Sequence, residues 1–367
     1  MKPRTLVIAE AGVNHNGSAE MALGLVDAAA AAGADVVKFQ TFKSELVIST
    51  RAEKAEYQKA KTGTGENQLE MVRKLELDHP THHRLVERAR SRGIDFLSTP
   101  FDDVSVEFLV ATLGLKRIKI PSGEITNGPL LVNIASRNVP VILSTGMATM
   151  GEIETALGAL AHGYLGDLAA SRSPRGFRAA FRSGEGQAAL QRNVVLLHCT
   201  TEYPAPDSDC NLRAMDSMRA AFGLPVGYSD HTNGIAIALA AVARGAAVIE
   251  KHFTLDSKLP GPDHRASLEP AQLTEMVQGI RSIDAALGDG IKRPQPSELK
   301  NLPIARKSLV ASRAIKRGER FSPDNITPKR PGTGLSPMSY WDVLGMAAPR
   351  DYEADEILDL VTPAGDT

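Results

Sequence analysis

The chain is poor in the features that would place it in several large classes. Two cysteines in 367 residues cannot build a disulfide scaffold. Neither sign of charge is in excess, with Lys+Arg at 42 against Asp+Glu at 43 and a net charge of −1. No global basic field therefore exists to hold nucleic acid or an anionic membrane. No apolar run approaches the roughly 18 residues of a membrane span. The apolar run near the N-terminus is broken by Glu10 too early for a signal peptide. What remains is 43% hydrophobic and 23% charged residues, a soluble globular composition long enough for two domains. A cytosolic protein with small-molecule partners is expected.

The first three quarters repeat one theme, a short β-branched run, a polar cluster, then an Ala/Leu-rich stretch of helical period. The runs are Thr5–Ala9, Asp35–Gln40, Ile94–Ser98, Arg117–Pro121, Val141–Ser144, Val194–Cys199, Val226–Ser229 and Val248–His252. Their continuous apolarity suits parallel strands buried on both faces. Helix ends are legible too: Ser18 as a cap, Gly93 and Gly223 as stops, and Pro270 opening a helix that stops before Gly288. Eight such units over residues 1–288 predict a TIM (β/α)8 barrel. A doubly wound sheet is the alternative, but no Gly-x-Gly-x-x-Gly follows the first strand.

Two connections are long. Residues 42–66 lie on the strand C-terminal side and are expected to shape a pocket. Residues 163–191 carry Arg172, Arg175, Arg178 and Arg182 with few acids and read as a solvated or partly disordered insertion, dispensable for chemistry. Residues 289–303, with Pro294 and Pro296, have linker composition. Residues 304–367 read as a small, mostly-β second domain of marginal size, expected to pack on a partner surface.

Barrels collect their chemistry where strands end, and polar residues gather there: Glu10, Lys38, Gln40, Thr99, Lys119, Ser122, Glu124, Ser144, Tyr203, Ser229, His231 and His252. Lys38 and Lys119 sit inside apolar strands, where an unpaired ammonium costs several kcal/mol or loses its proton. Each needs an anion: a structural partner among Glu10, Glu124 and Glu250, or a bound phosphate and carboxylate held with the neighbouring hydroxyls and the Ser144-Thr-Gly146 backbone. His231 and His252 end consecutive strands about 4.8 Å apart, so both imidazoles can reach one ion or both can be core residues. No third ligand is evident, and such an ion keeps open positions of the kind Lewis-acid catalysis uses. A metal-dependent hydrolase would place His-x-His on the first strand, which here leads to Asn14-His15-Asn16.

These motifs, taken in order, carry a resemblance: Ala-Glu10-Ala-Gly-Val-Asn-His-Asn-Gly17, Lys38-Phe-Gln40-Thr, Ser98-Thr-Pro-Phe101, Lys119-Ile-Pro-Ser122-Gly-Glu124, Ser144-Thr-Gly146-Met, Tyr203-Pro-Ala-Pro, Gly227-Tyr-Ser-Asp-His231, Glu250-Lys-His252-Phe and Gly261-Pro-Asp263-His. The whole chain resembles the sialic acid synthase family of nonulosonic acid synthases. Lys307-Ser-Leu-Val and Lys329-Arg330-Pro-Gly-Thr-Gly334 resemble the family's antifreeze-like (SAF) domain.

The resemblance implies condensation of phosphoenolpyruvate with an N-acylated mannose-type aldose to a nine-carbon 2-keto acid, with C–O cleavage and release of phosphate. It implies that Lys38, Thr99, Lys119, Ser122, Ser144 and Ser229 hold phosphoenolpyruvate. It assigns a divalent ion, usually Mn2+ with Mg2+ or Co2+ as alternatives, to His231 and His252. Gln40, Glu124, Tyr203, Asp263 and Arg330 would address the sugar, Arg330 reaching from the SAF domain of the other subunit of a homodimer. Glu10 and Glu124 stand as alternatives for handling protons or a developing cation. Thr201 stands where the family often has Asn and is left out of the phosphate set. Segments Tyr57–Leu77 and Cys199-Thr-Thr-Glu-Tyr203 resemble the legionaminic acid branch more than the N-acetylneuraminate branch. The legionaminic precursor, 2,4-diacetamido-2,4,6-trideoxymannose, has a methyl in place of a hydroxymethyl, so its pocket should be less polar at that end. An N-acetylneuraminate or pseudaminic acid synthase is the alternative enzyme, and a carbohydrate-binding protein the alternative without catalysis.

Overall fold

A computed structural model describes residues 4–52, 67–166 and 171–359. Residues 57–66 of the legionaminic-like segment, 167–170 of the Arg-rich connection and 360–367 lie outside the described residues. Eight strands follow in order: β1 Leu6–Gly12, β2 Val36–Thr41, β3 Asp95–Pro100, β4 Ile118–Ile120, β5 Val141–Ser144, β6 Val194–Cys199, β7 Val226–Asp230 and β8 Val248–His252. Every ladder is parallel and the order is β3-β2-β1-β8-β7-β6-β5-β4, with β3 and β4 lying side by side at the seam. The architecture is the expected TIM barrel.

The helix ends follow local chemistry. The Ser18 hydroxyl accepts from the Met21 N–H and caps Ala19–Ala31. Helices His79–Arg92 and Ala214–Phe222 stop where Gly93 and Gly223 turn left-handed, a conformation that costs glycine little. Pro270 opens Pro270–Ala286, where its missing N–H leaves no bond unmade.

The two-residue period of the strands builds the barrel interior in layers. Ile8, Val36, Leu97, Ile142, Leu197 and Val248 form an apolar plug of their own. Alternate positions such as Val7, Ala9, Val37, Phe39, Tyr228 and Ile249 join the outer core against the helices. Two residues beyond the plug, on the same inward side, come Glu10, Lys38, Thr99, Ser144 and Glu250, which line a cavity. A dry floor thus carries a polar layer at the strand C-terminal ends.

Residues 171–193 correct the expectation of a solvated insertion. They form helices Pro174–Arg182 and Gly184–Asn193, capped by the Ser173 and Ser183 hydroxyls. Gly176, Ala180, Gly186, Ala189 and Leu190 are buried, while Arg172, Arg175, Arg178 and Arg182 are exposed. Arg175, Arg178 and Arg182 lie on the wet side of the amphipathic helix Pro174–Arg182, and Arg172 stands just before it. Both helices pack on Met150–Leu165. A Cβ on Gly158 of that helix would stand 2.7 Å from the Phe177 carbonyl oxygen, so glycine is what admits the close approach.

The chain divides into two compact units after Asp289. In the second unit, β9 Ser308–Ala311 runs antiparallel to β10 Ile326–Lys329. Further antiparallel bridges join Val310 to Ile357 and Ile315 to Tyr352. Leu309, Ile315, Phe321, Ile326 and Tyr352 supply its small core. The Pro-rich stretch before it holds two short helices, Pro296–Leu299 and Leu302–Ala305. No helix among the described residues is long and apolar enough to cross a membrane.

The helical packing generates a test. Gly158→Val forces the pair Met150–Leu165 and Pro174–Arg182 apart and should cost about 1–3 kcal/mol in denaturant unfolding while leaving kcat unchanged. Unchanged stability would mean that residues 171–193 do not pack as described.

Candidate active site

The polar layer opens into a cavity of about 290 Å³ at the strand C-terminal ends. Its lining includes Glu10, Lys38, Gln40, Thr99, Lys119, Ser122, Ser144, Tyr203, Ser229, His231, His252 and Asp263, all singled out in the sequence. Glu250, expected as an ion-pair partner, and Thr201, which was left out of the phosphate set, line it as well, and so does an apolar set that the sequence did not point to: Val13, Phe42, Met71, Val72, Leu75 and Phe101.

Four buried charges form its base. Lys38 pairs with Glu10, lies 3.7 Å from Glu250 Oε2 and donates to Thr99 Oγ1 at 3.0 Å. Lys119 Nζ stands 3.4 Å from Glu250 Oε1, which also accepts the Ser229 hydroxyl at 2.9 Å. Glu250 thus bridges both lysines. Burial works upward on its carboxyl, but Lys119 and Lys38 outweigh it and hold the group at about 2. Burial pushes the Glu10 carboxyl up to about 7 against the pull of Lys38, and the nearby Glu250 charge adds to the rise. Burial draws the Lys119 ammonium below its ordinary range despite Glu250.

The two imidazoles stand with ring centroids 5.6 Å apart, and the Tyr203 ring lies 4.2 Å from His231 and 5.6 Å from His252. His231 Nδ1 lies 2.7 Å from the Thr200 carbonyl oxygen. A carbonyl only accepts, so Nδ1 carries the proton and Nε2 is left with its lone pair. Nδ1 of His252 is buried and has no hydrogen-bond partner. A Cβ on Gly12, whose φ is +53°, would stand 3.2 Å from both Glu10 Oε1 and the His252 ring, so glycine keeps this corner open.

These features fit a divalent ion. His231 Nε2, with only the Ser229 hydroxyl oxygen at 3.4 Å, and the unpartnered His252 Nδ1 are the candidate ligands, and metal–nitrogen bonds of about 2 Å are compatible with the observed ring separation. Among the described residues no group of three His, Cys, Asp or Glu forms a complete metal cage. Any ion here therefore keeps positions for water or substrate oxygen.

Beside Lys119, hydroxyls gather round Gly146. Its N–H donates to Ser122 Oγ at 2.9 Å, and Ser122 Oγ lies 3.1 Å from Cys199 Sγ. Ser144 Oγ and Thr201 Oγ1 are buried without a hydrogen-bond partner. Cys199 and Cys210 are both buried free thiols.

Two expected residues lie elsewhere. The Glu124 carboxylate is not part of the lining; it accepts the Asn127 side-chain amide at 2.6 Å, three residues on in the same turn. Arg330 belongs to the second unit, where its Nε donates to the Ala305 carbonyl at 3.0 Å. Glu250 is the ion-pair partner the sequence offered for either lysine; it precedes His252 by two and so shares its face. The apolar set comes from four separate stretches of chain, and no local pattern unites it.

Comparison with known proteins agrees with this geometry. The NeuB family model matches residues 25–292 and the SAF domain model residues 306–360. The chain is 53% identical to the N,N'-diacetyllegionaminic acid synthase of Campylobacter jejuni, covering 97% of this chain and 99% of that protein. It is 44% identical to the protein of the same name from Legionella pneumophila, covering 94% and 92%. The N-acetylneuraminic acid synthetase from Leptospira borgpetersenii, solved with citrate, is 34% identical with a TM-score of 0.65, covering 82% of this chain and 90% of that one. Matched over both of its units, the chain belongs to the NeuB family of synthases and carries a SAF domain.

Proposed function

We propose that this chain condenses phosphoenolpyruvate with 2,4-diacetamido-2,4,6-trideoxymannose to give a legionaminic-type nine-carbon 2-keto acid and phosphate. The observation that carries the reading is a cavity with two unlike ends, one charged and hydroxyl-rich, the other apolar.

The charged end suits phosphoenolpyruvate. Lys38, Lys119, Thr99, Ser122, Ser144 and Ser229 offer donors to its phosphate and carboxylate, and we add Thr201, whose buried hydroxyl has no partner. The four protein charges cancel in pairs, whereas phosphoenolpyruvate brings about three negative charges. A divalent ion on His231 and His252, by family resemblance manganese, would offset part of that excess and supply Lewis-acid polarisation of the aldehyde. C3 of phosphoenolpyruvate bonds to C1 of the open-chain aldose, and cationic character develops at C2. Water then adds at C2, and phosphate leaves with the bridging oxygen. Glu10 is the carboxylate we assign to that cation, since it lines the cavity and Glu124 does not.

The apolar end suits the sugar's methyl groups. Val13, Phe42, Met71 and Leu75 are buried, and Phe42 meets Phe101 edge to face. The C6 methyl and the 4-acetamido methyl would lie against this wall, where N-acetylmannosamine offers hydroxyls. The names of the Campylobacter and Legionella relatives agree. Gln40, Tyr203 and Asp263 are assigned to the sugar's polar groups.

The working unit in this reading is a homodimer in which the partner subunit's Arg330 completes the site. Leu46, Val104, Met147, Met150 and Leu255 are exposed in segments that follow β2, β3, β5 and β8. That apolar rim calls for a cover. On the small domain, Met338 and Trp341 are also exposed.

Phosphate release from phosphoenolpyruvate, measured against a panel of aldoses and their stereoisomers, tests the reaction. The diacetamido sugar should exceed N-acetylmannosamine about 10–100-fold in kcat/KM, the range that apolar contacts give. Chelation should abolish turnover and manganese restore it. Val72→Thr with Leu75→Asn should shrink the preference about tenfold. Equal use of N-acetylmannosamine would overturn the substrate, and sugar binding without phosphate release would overturn the reaction.

Subunit mixing tests the shared site. Arg330→Ala and His252→Ala homodimers should each be poorly active, and after re-equilibration about a quarter of all sites should recover. No recovery despite hybrid formation would remove the partner's Arg330 from the site.

A further inference from the structure

Behind the two imidazoles lies a second buried ion pair, on the opposite side of the same strands. Asp230 directly precedes His231 on β7, and Lys251 directly precedes His252 on β8. Both are wholly inaccessible to solvent. Lys251 Nζ lies 2.9 Å from Asp230 Oδ2 and also donates to the Thr232 carbonyl at 2.6 Å. Asp230 Oδ1 accepts the Thr232 N–H at 2.9 Å and the Thr232 hydroxyl at 2.8 Å. The strand period turns Asp230 and Lys251 toward the helical layer, the side on which Tyr228, Ile249 and Phe253 join the outer core.

Stability does not account for charges in such a place. A buried ion pair gains no more than well-packed apolar side chains of similar volume, and often less. Its location suggests another use. Asp230 and Lys251 are register partners across the β7–β8 ladder. The pair therefore clamps the two strands at the step just before each imidazole, and through Thr232 it also fixes the chain just after His231. On the inner side, the Ser229–Glu250 hydrogen bond joins the preceding register pair. His231 and His252 extend from strand ends that are cross-linked on both faces.

We propose that Asp230 and Lys251, with Thr232, are positioning residues that hold the two imidazoles at the spacing one divalent ion requires. This rests on the reading that His231 and His252 bind that ion. The pair touches neither substrate nor ion, and its effect is to remove the freedom of two strand ends that would otherwise have to be fixed when the ion binds.

The test measures manganese binding to the full chain by calorimetry, without substrate, alongside thermal unfolding. Asp230→Val with Lys251→Met replaces the pair by apolar groups and should leave a folded protein of comparable melting temperature. Its manganese affinity should fall 10–100-fold, the usual cost of losing support around metal ligands. A folded double variant that binds within twofold of the wild type would overturn the inference. Thr232→Val, close to isosteric, covers the case in which the double variant does not fold. It should weaken binding several-fold, and unchanged affinity would again overturn the inference. His252→Ala separates this inference from the reading beneath it. Wild-type binding that survives His252→Ala, or no binding by the wild type, would overturn the metal assignment and the inference together.

Discussion

An ammonium group inside a parallel barrel must find a carboxylate or give up its proton; Lys38 meets this condition through Glu10 and Lys119 through Glu250, and Glu250 reaches both lysines. The rest of the site depends on that bridge. It draws the inner ends of β2, β4 and β8 together, and the Ser229 hydroxyl ties in β7. It keeps the Glu250 carboxyl charged while Glu10, with Lys38 as its partner, is shifted the other way by burial. Two carboxylates on one face thus differ in proton affinity: Glu250 is held charged by both lysines, and its charge adds to the burial that raises Glu10, a common way for one site to hold unlike acid and base functions.

The layering beneath makes the arrangement affordable to the fold. The plug of Ile8, Val36, Leu97, Ile142, Leu197 and Val248 lies below the charges, and the cavity above them opens at the strand C-terminal end. The same strands turn Asp230 and Lys251 outward and Glu250 and His252 inward, which is the direct result of a two-residue period. Apolar residues just past the ends of β1, β2 and β3 and from the segment 71–75 then give the cavity its second character. A substrate with an anionic partner at one end and methyl groups at the other matches both.

Much of this was legible in the sequence because it is local. Strand runs such as Val194–Cys199 and caps such as Ser18 and Gly93 are written in a few adjacent residues, and the strand-end list named most of the cavity. What was not legible shares a cause. Residues 171–193 looked polar because composition does not report which helical face an arginine occupies, whereas the structure buries Ala180 and Leu190 beneath it. Glu124 follows Ser122 closely, but a tight turn directs it to Asn127. Glu250 was legible as a strand-end residue and as a partner for one lysine, but its joint reach to two lysines depends on barrel curvature. The apolar wall gathers Val13, Phe42, Leu75 and Phe101 from distant stretches, and tertiary packing alone brings them together.

The central claim is that the lysine–glutamate cluster and the two imidazoles form one site, with phosphoenolpyruvate at the charged end. A crystal structure of the chain soaked with manganese and phosphoenolpyruvate tests it most directly. The account predicts the anion's phosphate and carboxylate within hydrogen-bonding distance of Lys38, Lys119 and the Ser122, Ser144 and Ser229 hydroxyls, and the ion on His231 and His252. An anion bound away from both lysines, or an ion coordinated by other residues, would contradict it.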